Sequence, residues 1–163
     1  MELNLLSVVN CDGKRLPFEV SVALEGFPQS GFRVLEPISV KGEVVNLGGC
    51  LELDADCSAK LELICDRCAE AFVTDITYHL NERLRKEDSA EDENDPDVIL
   101  FSGNSLELDR IVYDGLCLSI PTKVLCKADC MGLCPHCGKN LNSGRCDCKE
   151  DTDPRFDVLD KLL

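Results

Sequence analysis

An α+β fold is predicted by three observations. Short apolar runs, several alternating with polar residues, fill the chain up to about residue 80. One stretch of helical spacing follows after residue 104. Six of the twelve cysteines then crowd into residues 126–148. Together they predict an antiparallel β-rich domain with one covering helix and a C-terminal zinc knuckle. The boundaries read as 1–85 for the β-rich domain, 86–104 for an acidic loop, 105–148 for the helix plus the cysteine-rich region, and 149–163 for a short C-terminal helix, all in one structural unit.

The strands come first. Val34, Leu35, Ile38, Val40, Val44, Val45, Leu47, Leu51, Leu53, Leu61, Leu63 and Ile64 fall in short runs. Lys41-Gly42, Gly48-Gly49 and Asp54-Ala55-Asp56 read as the turns between them. Leu51-Glu-Leu53 and Leu61-Glu-Leu63 alternate in the way of a sheet with one wet face. Phe72, Thr74, Ile76, Tyr78 and Leu80 share one parity and form the last strand of an antiparallel meander. Residues 87–97 carry seven acids and no base, the mark of a solvated loop.

A helix is expected from about Ser105 to Ile120. Ser105 would cap it, Glu107 and Asp109 would complement its first turn, and Leu108, Ile111, Val112 and Leu118 would face the sheet. Pro121 stops it. At the C-terminus, Asp153-Pro154 opens a tail helix that would bury Phe156, Leu159 and Leu163.

Composition narrows the function classes. Hydrophobic residues make up 44% of the chain, enough for a packed core, while aromatics are only 5% and Trp is absent. That counts against a platform for stacking unpaired bases. No apolar run approaches the roughly 20 residues of a membrane span, and the start MELNLLSVVNCDGKR lacks the basic region of a signal peptide. The expectation is a cytoplasmic protein with no membrane contact. A formal net charge of −14 repels a phosphate backbone at long range, so a basic protein partner suits the global field better than nucleic acid.

In a reducing compartment clustered cysteines read as metal ligands rather than disulfides, and the chain has twelve cysteines. Cys134-Pro-His-Cys137-Gly138 has the form of a zinc knuckle, and Cys146-Asp-Cys148 can reach one ion more readily than it can form a disulfide. A structural zinc takes four ligands. Cys134, Cys137, Cys146 and Cys148 make one compact set, which leaves Cys126 and Cys130 to join the distant Cys65-Asp-Arg-Cys68. Counting also admits Cys126, Cys130, Cys134 and Cys137 together, with Cys146 and Cys148 joining Cys65 and Cys68. Two zinc ions are expected, with iron or a cluster as the alternative and His136 as a lesser candidate ligand. Cys11, Cys50, Cys57 and Cys117 are read as small buried hydrophobes.

All-cysteine sets are closed, whereas a catalytic zinc keeps an open position. The chain has two histidines and carries no HExxH, GxSxG or phosphate-loop motif, so no small-molecule substrate is evident. A redox dithiol at Cys65 and Cys68 would need a helix start, and its flanks KLELICDRCAEAFVTDI read as strand-turn-strand.

The run from Asp129 to Asn142 (DCMGLCPHCGKNLN), followed by Gly144-Arg145-Cys146-Asp147-Cys148, resembles the C-terminal signature of the YceD family. Cys65-Asp-Arg-Cys68, the acidic loop, the helix ending before Pro121 and Asp153-Pro154-Arg155 fall in the family's order, so the resemblance runs from about residue 30 to the end. Ala69, Ala71, Val124 and Met131 depart from its commoner residues, Met131 taking a place that is often basic. The resemblance implies a factor in ribosome biogenesis, linked to accumulation of large-subunit ribosomal RNA, and the closed cysteine sets read it as non-catalytic. The partner would be the large-subunit ribosomal RNA precursor or a basic large-subunit ribosomal protein. Arg67, Lys123, Lys127, Lys139, Asn140 and Arg145 form the candidate RNA- or partner-facing patch. Other readings are an acidic module chaperoning a basic ribosomal protein, and a redox- or zinc-responsive regulator.

Overall fold

A computed structural model describes residues 1–48, 50–87 and 97–148. The acidic run from 88 to 96 and the expected tail helix within 149–163 lie outside the described residues. Among the described residues, no helix is long and apolar enough to cross a membrane.

Among the described residues, the fold is a large sheet with two helices and a cysteine-rich C-terminal segment. The strands are β1 (Glu2–Asn4), β2 (Arg15–Val22), β3 (Phe32–Val34), β4 (Ile38–Asn46), β5 (Leu51–Ile64), β6 (Ala71–Lys86), β7 (Val98–Phe101) and β8 (Ser105–Glu107). The helices are α1 (Leu6–Val9) and α2 (Leu108–Ser119). The main sheet runs β2-β4-β5-β6-β7, with β3 paired to the far half of β5, while β1 and β8 form a separate antiparallel pair.

β5 and β6 are the spine of the sheet. Their register runs without a break from Leu51↔Leu84 to Ile64↔Ala71. Along β5 the alternation is strict: Leu51, Leu53, Ala55, Cys57, Ala59, Leu61 and Leu63 are buried, and the residues between them face outward. That parity follows from the two-residue side-chain period of a strand. The inward face packs under Leu108, Ile111, Val112 and Leu116 of α2. The Tyr78 hydroxyl of β6 donates to the Val112 carbonyl at 2.8 Å and ties the helix to the sheet.

Several expectations are corrected. Lys41-Gly42 and Asp54-Ala55-Asp56 are not turns but mid-strand residues of β4 and β5, with Lys41 opposite Asp56, Gly42 opposite Ala55 and Glu43 opposite Asp54. A Cβ on Gly42 would stand 2.1 Å from the Asp54 carbonyl oxygen and 2.5 Å from the Ala55 Cβ. Glycine is there for close approach, not for a bend. Gly48 does mark the β4–β5 turn, where its N–H donates to Asn46 Oδ1 at 2.9 Å. The last antiparallel strand continues past Leu80 to Lys86, and β7 then adds in parallel beside it, so the sheet is not a simple meander.

The helix starts at Leu108 rather than Ser105. Ser105–Glu107 is drawn into strand pairing with Glu2–Asn4, and the Ser105 hydroxyl donates to Glu2 Oε2 at 2.6 Å instead of capping a helix. Leu118 is 88% exposed, and Leu116 takes the buried place. At 100° per residue, Leu118 lies roughly 100° from the centre of the buried stripe. Ile120, restricted by Pro121, is extended and ends the helix. Of the four isolated cysteines only Cys57 is buried; Cys11 and Cys117 are exposed and Cys50 is half-buried.

Candidate metal centres

The β5–β6 hairpin closes through Cys65-Asp66-Arg67-Cys68. The Cys65 N–H donates to the Glu70 carbonyl and the Ala69 N–H to the Cys65 carbonyl, both at 2.9 Å. Cys134-Pro135-His136-Cys137 repeats the pattern: the Cys134 N–H donates to the Lys139 carbonyl and the Gly138 N–H to the Cys134 carbonyl, again at 2.9 Å. The two CxxC elements are therefore the same knuckle built twice. Each needs a residue at positive φ after its second cysteine; Gly138 has φ 71° and Ala69 has φ 56°.

The segment after α2 folds back onto the first knuckle. Asp66 grips it at both ends of one residue: its N–H donates to the Val124 carbonyl at 2.9 Å, and its Oδ2 accepts the Val124 N–H at 2.6 Å. Arg67 donates through a terminal nitrogen to the Cys130 carbonyl at 2.8 Å. These contacts bring Cys126 and Cys130 to Cys65 and Cys68, with all four sulfurs within 4.8 Å of one another. The sulfurs of Cys65 and Cys130 are 3.8 Å apart, and those of Cys68 and Cys126 3.7 Å. Four sulfurs at about 2.3 Å from a central zinc lie about 3.8 Å from each other, far beyond the roughly 2.05 Å of a disulfide. Cys65, Cys68 and Cys130 are buried, with Phe72 and Leu125 packed against them.

Cys134, Cys137, Cys146 and Cys148 form a second group with sulfurs in the same range. Its loop is closed by Lys139, whose ammonium donates to the Arg145 carbonyl at 2.9 Å, and by a bridge between Leu133 and Asn140. A 3-10 turn at Leu141–Ser143 is capped by the Asn140 side chain. This group is shallower: Cys134 is buried, but Cys137 and Cys148 are exposed. His136 is exposed and outside both groups.

Only three residues separate the groups along the chain. Gly132 among them has φ 75°, and a Cβ there would meet the Arg67 carbonyl oxygen at 3.1 Å. The Arg67 carbonyl in turn accepts the Leu133 N–H at 3.1 Å. Glycine lets the linker turn sharply while lying against the first knuckle.

The thiols are strongly unlike one another. The backbone N–H of Cys126 is the largest influence holding Cys65 down at about 6, helped by those of Cys68 and Arg67 and opposed by burial. Backbone N–H groups of Cys137 and His136 hold Cys134 at about 6. Burial first, then the neighbouring sulfurs, push Cys126 up to about 12. The Cys137 sulfur foremost does the same to Cys148, also to about 12. Four sulfurs this close cannot all ionise beside each other, and a divalent cation at their centre removes that conflict. The donor sets therefore fit a metal ion each.

Of the predicted patch, Arg67, Lys139 and Asn140 hold the framework through the bonds above. Lys123, Lys127 and Arg145 have exposed side chains. Sequence reasoning missed Asp66 and Asn142. Asn142 donates from Nδ2 to the Cys130 sulfur at 3.3 Å, and neither residue carries a spacing signal that would mark it.

The family profile described as "Large ribosomal RNA subunit accumulation protein YceD" matches residues 53–163, a span that includes both cysteine groups. The chain belongs to the YceD family. Uncharacterized proteins of Mycobacterium bovis and Mycobacterium tuberculosis are 32% identical over 101 residues, covering 61% of this chain and 49% of theirs. A protein of Arabidopsis thaliana described as "Large ribosomal RNA subunit accumulation protein YCED homolog 1, chloroplastic" is 26% identical over 159 residues, covering 77% of this chain and 48% of its own. The chain thus spans about half the length of the curated relatives it matches. No solved structure matches it. The YceD family is named for accumulation of a ribosomal RNA subunit and not for a reaction.

Proposed function

We propose that the chain is a non-catalytic, zinc-binding factor of ribosome biogenesis that supports accumulation of large-subunit ribosomal RNA and assembly of the large subunit. Two tetra-cysteine groups, each with its four sulfurs within 4.8 Å of one another and joined by a three-residue linker, are the observation that carries it. Four thiolates fill the coordination of a zinc ion and leave no position for substrate, so each group acts as a staple. Cys65, Cys68, Cys126 and Cys130 hold one ion, and Cys134, Cys137, Cys146 and Cys148 the other. The staples set the 123–148 segment rigidly on the end of the β5–β6 hairpin as a docking element. Free thiolate clusters of this kind belong in a reducing cytoplasm.

The partner of this element is the large-subunit ribosomal RNA precursor, met locally by Lys123, Lys127 and Arg145 despite the chain's acidic field. A substitution test spares Lys139, whose ammonium closes the second loop. Lys123→Glu, Lys127→Glu and Arg145→Glu together are expected to abolish crosslinking to ribosomal RNA in cells while metal content is unchanged. Undiminished crosslinking contradicts direct RNA contact. Depleting the protein is expected to lower the ratio of large- to small-subunit ribosomal RNA, and a Cys65→Ser/Cys68→Ser chain is expected not to restore it.

One observation favours a second reading, in which a basic ribosomal protein is the partner. Glu52, Asp54, Asp56, Glu62 and Asp75 share the outward face of β5 and β6. Deleting residues 87–97 and charge-reversing Asp54 and Asp56 would then each weaken a salt-sensitive pull-down of that protein.

A further inference from the structure

Hydrogen bonds run within the first cysteine group, from it to the linker, and from the linker to the second loop. The Arg67 side chain donates to the Cys130 carbonyl, and the Arg67 carbonyl accepts the Leu133 N–H. The Leu141 N–H donates to the Gly132 carbonyl at 2.9 Å. The fourth contact is of another kind, because it ends on a sulfur. Asn142 sits in the loop of the second group, between Cys137 and Cys146, yet its Nδ2 donates at 3.3 Å to the sulfur of Cys130 in the first group.

The orientation of that amide is fixed by its surroundings. Asn142 Oδ1 accepts the Met131 N–H at 2.9 Å. Its Nδ2 also reaches Asn140 Oδ1 at 2.9 Å, and that oxygen accepts the Asn142 N–H at the same distance. A flipped amide would set oxygen against oxygen and nitrogen against N–H, so the group facing the sulfur is a donor.

A tetrathiolate zinc centre carries a charge of about −2, and each N–H aimed at a sulfur stabilises the thiolate against protonation and loss from the ion. We propose that Asn142 is a positioning residue for the first metal centre, so that the first centre's hold on its ion depends on the second loop being folded. This rests on the reading that both groups bind zinc. The dependence sets an order of release. The second group, with Cys137 and Cys148 at the surface, exchanges its ion first. Losing that ion loosens the turn at Leu141–Ser143, withdraws the amide from Cys130 and weakens the buried centre. The two centres then fill and empty as a sequence rather than independently.

The test is zinc extraction from the full-length, zinc-loaded chain by a colorimetric chelator, followed in time. Two zinc ions per chain are expected, leaving in a fast and a slow phase. Asn142→Asp keeps the size of the side chain but replaces the donor with an acceptor. It is expected to leave the stoichiometry at two, leave the fast phase unchanged and speed the slow phase by about 10-fold or more, the usual effect of losing an outer-shell hydrogen bond. Asn142→Ala should act in the same direction. Cys146→Ser/Cys148→Ser should retain one ion that leaves at the accelerated rate, and adding Asn142→Asp to it should speed release no further. In the cobalt(II)-loaded protein, Asn142→Asp should shift the sulfur-to-metal charge-transfer band of the first centre, a change that a merely structural role would not produce. Two ions with an unchanged slow phase overturn the assignment of Asn142 alone. Fewer than two ions in the unsubstituted protein overturn the metal reading beneath it.

Discussion

Ala69 is the sole non-glycine at positive φ among the described residues, and it occupies the place that Gly138 fills in the second knuckle. An L-residue pays about 1–2 kcal/mol in the left-handed region, offset in part by the greater chain entropy of glycine when unfolded. Ala69→Gly is therefore expected to stabilise the metal-loaded protein by about 1 kcal/mol, and Gly138→Ala to destabilise it by a similar amount. Urea denaturation at saturating zinc measures both. A second prediction belongs to His79 on the wet face of β6, whose ring lies 3.0 Å from Asp56 and 3.5 Å from Asp54. The hydrogen bond to Asp56 is the largest influence, and it raises the imidazole above its ordinary 6.5. A folded value above the unfolded one adds stability that is complete below 6.5 and is lost as pH rises through the raised value. The melting-temperature difference between wild type and His79→Gln should thus be clear near about pH 5.5 and vanish near about pH 8.5. Equal differences at both would contradict the charged pair.

Among the elements, β4 shows how a buried polar group fixes a junction. Asn46 is 1% exposed, and its Nδ2 donates to the Val8 and Val9 carbonyls of α1 at 2.8 and 3.0 Å. Its Oδ1 accepts the Gly48 N–H of the following turn. Asn46→Leu removes these three hydrogen bonds at a buried position and should cost about 2–4 kcal/mol in urea unfolding. The apolar pattern on either side of such junctions is what makes elements legible. The β5 parity and the inward row of β6 are plain in the sequence because each strand buries one face. Gly42 and Asp54-Ala55-Asp56 misled because glycine and aspartate serve equally in turns and at close or wet positions of a sheet. Ser105 misled because its competing partner, Glu2, lies a hundred residues away and leaves no local trace. β7 was equally hidden, since a parallel edge pairing has no turn signature. Ligand arithmetic pointed to two groups of four cysteines, as thiolates come in fours around a tetrahedral ion, but counting alone left two partitions open and the fold selects one. Asp66 and Asn142 were not, because hydrogen bonds to a linker or a sulfur follow no spacing rule.

For the whole molecule, the ion proposed for the first group of cysteines would make it a long-range staple. Cys68 and Cys126 are 58 residues apart in sequence and bind the tip of the central hairpin to the segment leaving α2. A metal bound there would close a loop that contains all of β6, β7, β8 and α2, so binding energy would become folding energy. The second group depends on the first for its seat, through the linker at Met131-Gly132-Leu133, and the family match covers both together. The central claim is that this architecture is a two-metal scaffold with its sulfurs divided four and four. Elemental analysis of the purified chain tests it most directly, taken with two ligand-pair variants. Two zinc ions per chain, falling to one in Cys146→Ser/Cys148→Ser and to one or fewer in Cys65→Ser/Cys68→Ser, is the predicted result. A single ion per chain, or two ions that survive both pair substitutions, would contradict it.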